Sequence, residues 1–279
     1  MRMRVMHTTG FEYDGGVNAS YNEARMTPLT TTEQYVLHTR LDVSPTPWTY
    51  TYSDYWGTQV TAFEVHDLHS ELTVTSTSTV DIGRTAPAPA GLPWDALQDP
   101  VLLDRHVEML TMSPWVQPTP DLVERSAEAA ATAVGPSAFA RDMCGLIYDE
   151  IRYVSGSTVV TTTAADAWEA RSGVCQDMVH LSLGCLRSVG IPARYVSGYL
   201  HPKKNPEVGE TVVGESHAWL EWWDGDWVGF DPTNNVEPGD RHVVVGRGRQ
   251  YKDITPLRGI FSGGTTSDMT AEVHVTRLP

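Results

Sequence analysis

Cysteine is scarce in this chain: Cys144, Cys175 and Cys185 are the three among 279 residues, and none forms a CxxC pair. So sparse and odd a set excludes a disulfide framework and a cysteine-rich zinc site, and free thiols fit a reducing compartment. Long apolar runs are missing as well, which excludes a membrane-spanning helix. The opening MRMRVMHTTGFEYDGG carries two early arginines but neither the apolar core nor the small-residue cleavage site of a secretory signal. A cytoplasmic location is therefore expected. Basic residues are in deficit, with 20 Lys and Arg against 35 Asp and Glu, and the net charge of −15 is spread along the chain. That balance opposes nucleic acid and anionic membrane as partners. It leaves a peptide, protein or small amide open as substrate and says nothing of oligomeric state. The hydrophobic content of 41% is that of a globular protein, long enough for one large domain or two ordinary ones.

Two periods divide the chain. From Val5 to about Ile82, Thr, Val and Tyr alternate with period two, as in Gln34–Val43 and Leu72–Asp81, and turn signals such as Asp14-Gly15-Gly16 separate the runs. These are antiparallel strands with one wet face. The Pro/Ala/Gly-rich stretch from Gly83 to Pro93 marks a boundary. The expected division is an N-terminal antiparallel β domain over residues 1–95 and a catalytic domain over 96–279. In the second part, helices are predicted over Asp121–Val134, Pro136–Tyr153 and Ala164–Ala170, and a further one over the apolar run that starts at Cys175. Strands follow at Ala193–Leu200, Ser216–Trp223 and Trp227–Asp231, with closing strands at Val243–Val245 and Glu272–Arg277.

The three cysteines do not sit alike. Cys144 lies on the face of a helix shared by Phe139, Met143, Ile147 and Ile151, and Cys185 lies between Leu183 and Leu186. Both read as core thiols, whose pKa burial raises. Cys175 instead follows Ser172-Gly173 and opens its helix, where the macrodipole and the unpaired first-turn N–H groups favour a thiolate. Gly173 is expected to let the backbone approach a substrate closely. The Cys175 N–H is also a candidate donor to an oxyanion forming beside its sulfur.

A thiolate nucleophile needs a histidine to take and return a proton, and the histidine needs an acceptor on its other nitrogen. His217 in one strand and Asp231 at the end of the next are the candidates, and their pairing imposes a register. A two-residue Asp224-Gly225 turn pairs Trp223 with Asp226 and turns Asp231 away from His217. A three-residue loop pairs Trp223 with Trp227 and sets Asp231 opposite Trp219, diagonal to His217. The triad reading therefore predicts an odd loop or a bulge.

At this point the chain resembles a known family, the bacterial transglutaminase-like superfamily of papain-like cysteine enzymes. The matching stretches are Arg171–Asp177 (RSGVCQD), Leu186–Tyr199, Ser216–Trp219 (SHAW) and Trp227–Asn234 (WVGFDPTN). His7-Thr-Thr9, Ser20–Arg25, Arg249–Asp253 and Arg258–Gly263 resemble further parts of the same proteins, so the likeness spans nearly the whole length. The resemblance implies an α+β fold, an N-terminal antiparallel β domain and a papain-like domain whose Cys-bearing helix packs on a sheet. It maps the nucleophile onto Cys175, the general base onto His217 and the orienting acid onto Asp231. It also implies a thioester formed from an amide, resolved by water or by an amine. Amide hydrolysis by a peptidase or amidase is preferred, because no acidic or apolar site for a lysine co-substrate is evident. Transglutaminase-type transfer, a biosynthetic acyltransferase or ligase, and a non-catalytic binding or scaffold protein stay open.

Tyr153 and Trp168 are candidates for a second oxyanion donor, ahead of Gln176, and Trp219, Tyr195 and Tyr199 are candidates to line a substrate cleft. No cofactor and no metal are expected, since His66 and His69, three apart on a strand, face opposite sides. His180, five residues along the helix, points away from Cys175. Asp177 is expected to serve the helix terminus rather than the chemistry.

Overall fold

The computed structural model describes residues 1–84, 91–214 and 216–279. The Pro/Ala tract at 85–90, on which part of the expected boundary falls, lies outside the described residues. The architecture is α+β. Five strands come first: β1 (Arg2–Ala24), β2 (Gln34–Ser44), β3 (Trp48–Ser53), β4 (Gln59–Val65) and β5 (His69–Ile82). Their alternation does what a period of two requires. On β1, Met3, Val5, His7 and Thr9 turn inward while Arg2, Arg4 and Met6 turn outward. On β5, Leu72, Val74, Ser76, Ser78, Val80 and Ile82 form the buried face.

Helices α1 (Pro100–Arg105), α2 (Val107–Leu110), α3 (Pro120–Thr132) and α4 (Pro136–Glu150) follow. Helix α4 stops three residues short of the predicted Tyr153. Arg152 and Tyr153 form β6, which pairs in parallel with β7 (Ser172–Gly173) across the short helix α5 (Ala164–Ala170). That pairing outweighs the local helical period and draws the chain alongside the segment that carries Cys175.

Helix α6 (Cys175–Ser188) is the centre of the second unit, and every residue from Gln176 to Arg187 on it is buried. A helix buried all round belongs inside a protein, and its Ser182 and Arg187 side chains are bonded there, to the Met178 and Ala193 carbonyls respectively. Gly184 permits its close packing, because a Cβ there would lie 2.1 Å from the Val116 carbonyl oxygen. The helix ends at Gly190, whose φ of 84° is left-handed, with Pro192 just beyond. Strands β8 (Ala193–Leu200), β9 (Thr211–Gly214), β10 (Ser216–Trp223), β11 (Trp227–Phe230), β12 (His242–Gly248) and β13 (Leu257–Leu278) complete the chain. A four-stranded antiparallel sheet, ordered β11-β10-β8-β12, packs against α6.

The two ends of the chain meet. Strand β13 runs antiparallel along nearly all of β1, so the N-terminal sheet has seven strands, with the path β2-β5-β1-β13-β9 and β4 and β3 branching from β1. The stretch Glu272–Arg277 was expected to close the catalytic sheet. It closes the other one, because its ladder partners are Met3–Thr8 of β1 and Thr211–Gly214 of β9. Only Val243–Val245, inside β12, closes the sheet that holds His217.

Candidate active site

The loop between β10 and β11 has three residues, Asp224, Gly225 and Asp226, and Gly225 takes a φ of 86°. Trp223 pairs with Trp227 and Leu220 with Phe230, the odd-loop register. One step further, Asp231 lies opposite Trp219 and diagonal to His217. There His217 Nε2 and Asp231 Oδ2 are 2.7 Å apart. Cys175, the first residue of α6, lies close enough to the same imidazole to raise its pKa. Cysteine, histidine and aspartate are thus brought together, with the cysteine at the start of a helix and the carboxylate fully buried.

Electrostatics follow from that geometry. Burial disfavours charge on His217, but the Asp231 carboxylate and the Cys175 sulfur outweigh it and push its pKa up to about 10. Burial alone would raise the Asp231 pKa, yet its hydrogen bonds to His217 and His242 hold it well below the usual carboxylate range. Five donors converge on this carboxylate. Oδ1 accepts the backbone N–H groups of Thr233 and Asn234, and Oδ2 accepts from His217, His242 and Asn234 Nδ2.

Of these, His242 and Asn234 drew no role from the sequence. Asn234 stood in a quoted motif, so a signal existed. His242 gave none, since only the pairing of β12 with β8 brings it to Asp231. His242, Asp231 and His217 also offer ligand atoms within 4.8 Å of one another, an arrangement that can hold a cation. The hydrogen bonds already use those atoms. Gly239 N–H donates to His242 Nδ1, so in the neutral ring Nε2 carries the proton and points it at Asp231.

The approach to Cys175 is held by Asp177. Its Oδ2 accepts from Val174 N–H at 2.8 Å and from Thr158 Oγ1 at 2.7 Å, tying the 155–160 loop to the helix start. Gly173 serves this cap rather than a substrate: a Cβ there would lie 2.8 Å from the Asp177 side chain.

Other expected site residues lie elsewhere. Trp168 is buried and its indole N–H donates to Asp121 Oδ2 at 2.9 Å, so it is committed and cannot serve an oxyanion. Tyr153 is partly exposed and shares a cleft with His217 and Asn234. Trp219, Tyr195 and Tyr199 are interior residues and line neither of the clefts that meet at Ser216. Trp219 lies nearly parallel to the His217 ring, with centroids 6.2 Å apart, and covers it. Tyr195 packs between His180 and Tyr251, and the Tyr199 hydroxyl meets His7 Nδ1 at 3.1 Å. An inward position on a central strand buries an aromatic ring on both faces of the sheet. His180 likewise points into the interior, where its Nε2 accepts the Tyr251 N–H.

Comparison with known proteins adds the lineage. A Mycobacterium leprae protein, itself uncharacterized, is 42% identical over 283 residues, covering 99% of each chain. Residues 3–81 match the bacterial transglutaminase-like N-terminal region, and residues 123–232 match the transglutaminase-like superfamily. The chain belongs to the transglutaminase-like superfamily. An uncharacterized Mycobacterium tuberculosis relative is 35% identical over 292 residues, spanning 98% of this transglutaminase-like chain and 92% of its own. The protein-glutamine gamma-glutamyltransferase of Pseudomonas aeruginosa is 37% identical over 102 residues, which are 33% of this chain and 15% of that one. Among solved structures, a candidate cysteine protease from Cytophaga hutchinsonii superposes with a TM-score of 0.75 at 22% identity, covering 98% of this chain and 90% of that one. The last likeness is one of fold: a transglutaminase-like, papain-like α+β architecture extending over both sheets.

Proposed function

We propose that this transglutaminase-like protein is a cysteine-dependent amide hydrolase in which Cys175 is the nucleophile, His217 the general base and acid, and Asp231 the orienting acid. The observation that carries the reading is the placement of Cys175 at the start of α6 against His217, whose Nε2 lies 2.7 Å from Asp231 Oδ2. His217 takes the thiol proton, and the Cys175 thiolate attacks the amide carbonyl carbon. The resulting oxyanion meets the Cys175 N–H, a first-turn donor without a partner inside the helix. Tyr153, which shares the cleft with His217, and Gln176 are the candidates for a second donor. Collapse of this intermediate breaks the C–N bond, and the amine leaves with the proton held by His217. A water molecule then gives a proton to His217 while its oxygen attacks the thioester, releasing the acid and restoring the thiol.

Water is favoured over an amine as second acceptor because the cleft beside His217 has no carboxylate among its described lining residues to hold a lysine ammonium. A second reading has its own support. The segment shared with the Pseudomonas enzyme favours transfer of the acyl group to an amine. One experiment tests both. Cys175 is trapped as an acyl adduct by mass spectrometry from a peptide pool, and ammonia or amine release is then measured against incorporation of a labelled primary amine. Release without incorporation supports hydrolysis. Incorporation at the same rate overturns it in favour of transfer, and an adduct on Cys144 or Cys185 overturns both.

A further inference from the structure

Two clefts meet at Ser216, the neighbour of His217, and they differ in chemistry. One, of about 370 Å³, includes Tyr153, His217, Thr233 and Asn234 in its lining. The other, of about 530 Å³, is bounded on one side by Trp115, Val160 and Tyr251 of the catalytic unit and on the other by the N-terminal sheet. Ser216, the neighbour of His217, lines both. Tyr251 is close enough to Cys175 for a thiolate there to raise its pKa, a smaller effect than its burial.

The sheet side of the larger cleft is built with care for register. Phe11 on β1 pairs with Met269 on β13, and Thr9 pairs with Ala271, so two cross-strand pairs make one continuous wall. Lys252 is the sole full charge among the described lining residues, and it is exposed at the rim. His7 and His180 also line the cleft, and burial lowers their pKa values to about 4 and about 3, leaving both neutral. Cavities of 300–1,000 Å³ with mostly apolar walls are typical of sites for small ligands and side chains.

The side of the nucleophile on which each part of a substrate lies follows from proton transfer. The leaving amine must take its proton from His217, so it occupies the smaller cleft, which His217 itself lines. The acyl portion then extends into the larger one. We propose that the larger cleft is the acyl-side specificity subsite, that it takes a bulky apolar side chain of a peptide or peptide-like amide, and that the N-terminal sheet supplies its outer wall. This rests on the assignment of Cys175 as nucleophile. It gives the N-terminal sheet a direct part in substrate selection.

The test uses the full chain and four acetyl-alanyl-Xaa chloromethyl ketones, with Xaa as Gly, Leu, Phe or Glu, each read as the rate of Cys175 alkylation by mass spectrometry. Leu and Phe are expected to react about tenfold or more faster than Gly and Glu, the range that added apolar groups supply in a fitted pocket. Ala271→Trp, at an exposed position on the cleft wall, should remove that preference, and Phe11→Ala should reduce it; thermal melting checks that both variants are folded. Equal rates for the four reagents, the fastest rate for Glu, or an unchanged preference in folded Ala271→Trp overturns the subsite. Iodoacetamide, too small to need the cleft, reports separately on the nucleophile. If its reaction at Cys175 is no faster in the wild type than in His217→Ala, the nucleophile assignment and the subsite fall together.

Discussion

The two ends of α6 carry the same functional group in opposite circumstances. Cys175 opens the helix, is partly exposed and lies beside His217. Cys185 sits ten residues further on, wholly buried, with its thiol pushed up to about 12 by burial. Cys144, in the neighbouring helix, is buried and pushed to about 12 in the same way. What separates a nucleophile from a packing group is therefore position along one element and the strand that meets it there. The residue type and the apolar run around it are shared.

The sharpest way to break this contrast is to exchange the roles by mutation. Cys175→Ala should reduce amide turnover by at least about 10⁴-fold, the scale on which single triad deletions act. Cys185→Ala should leave turnover within a small factor and lower stability by about 1–2 kcal/mol, as a small cavity does. Urea melts and steady-state rates on the same preparations check both.

Next in size, Asp231→Asn should lower kcat/KM by about 10²–10⁴-fold, because the imidazole loses both its orienting acceptor and the charge that stabilises its protonated form. The same charge makes a stability prediction. His217 has a folded pKa of about 10 against 6.5 for the free side chain, so the folded protein keeps a proton that the unfolded chain releases. Its contribution is fully present below pH 6.5 and is lost as pH rises through 10. Unfolding free energies measured between those limits should decline with pH in the wild type and decline less in Asp231→Asn. An identical slope in the two proteins would contradict the coupling.

A smaller effect is expected at His242. His242→Phe removes one buried donor from Asp231, a charge-assisted hydrogen bond worth about 1.5–3 kcal/mol. A fall in kcat of about tenfold, with KM little changed, would mark it as a positioning residue. A pure stability loss with normal kcat would mark it as packing. Smallest is Asp177→Ala, which deletes the cap at the start of α6 and should cost about 1 kcal/mol of stability in a thermal melt. Stoichiometry gives a last check on the three thiols. Iodoacetamide near neutral pH should modify the native protein at Cys175 alone, and the urea-unfolded chain at all three positions.

Much of this was legible before any coordinate. Period-two alternation located the strands of the N-terminal sheet, and the apolar run after Ser172-Gly173 located α6. Given the triad reading, parity required an odd loop or a bulge between His217 and Asp231, and the loop has three residues. Other readings went astray where partners distant in sequence decide. Tyr195, Tyr199 and Trp219 looked like cleft aromatics, but a strand covered on both faces hides its side chains whichever way they point. Trp168 offered a free indole until Asp121, 47 residues earlier, accepted its hydrogen. The pattern of Glu272–Arg277 identified a strand and carried no information about which sheet would take it, because alternation specifies faces and not neighbours.

The sequence by itself determined most of the elements, the position of Cys175 at a helix start, and the loop parity that His217 and Asp231 need in order to meet. These depend on local periodicity, capping and loop length, all of which act over a few residues. The tertiary structure alone decided that β13 returns to β1, that His242 and Asn234 complete the set of donors around Asp231, and that Phe11 and Met269 wall a cleft near the proposed nucleophile. Each of those is a contact between segments far apart in the chain, set by how the packed sheets and helix exclude water together rather than by any short run of residues.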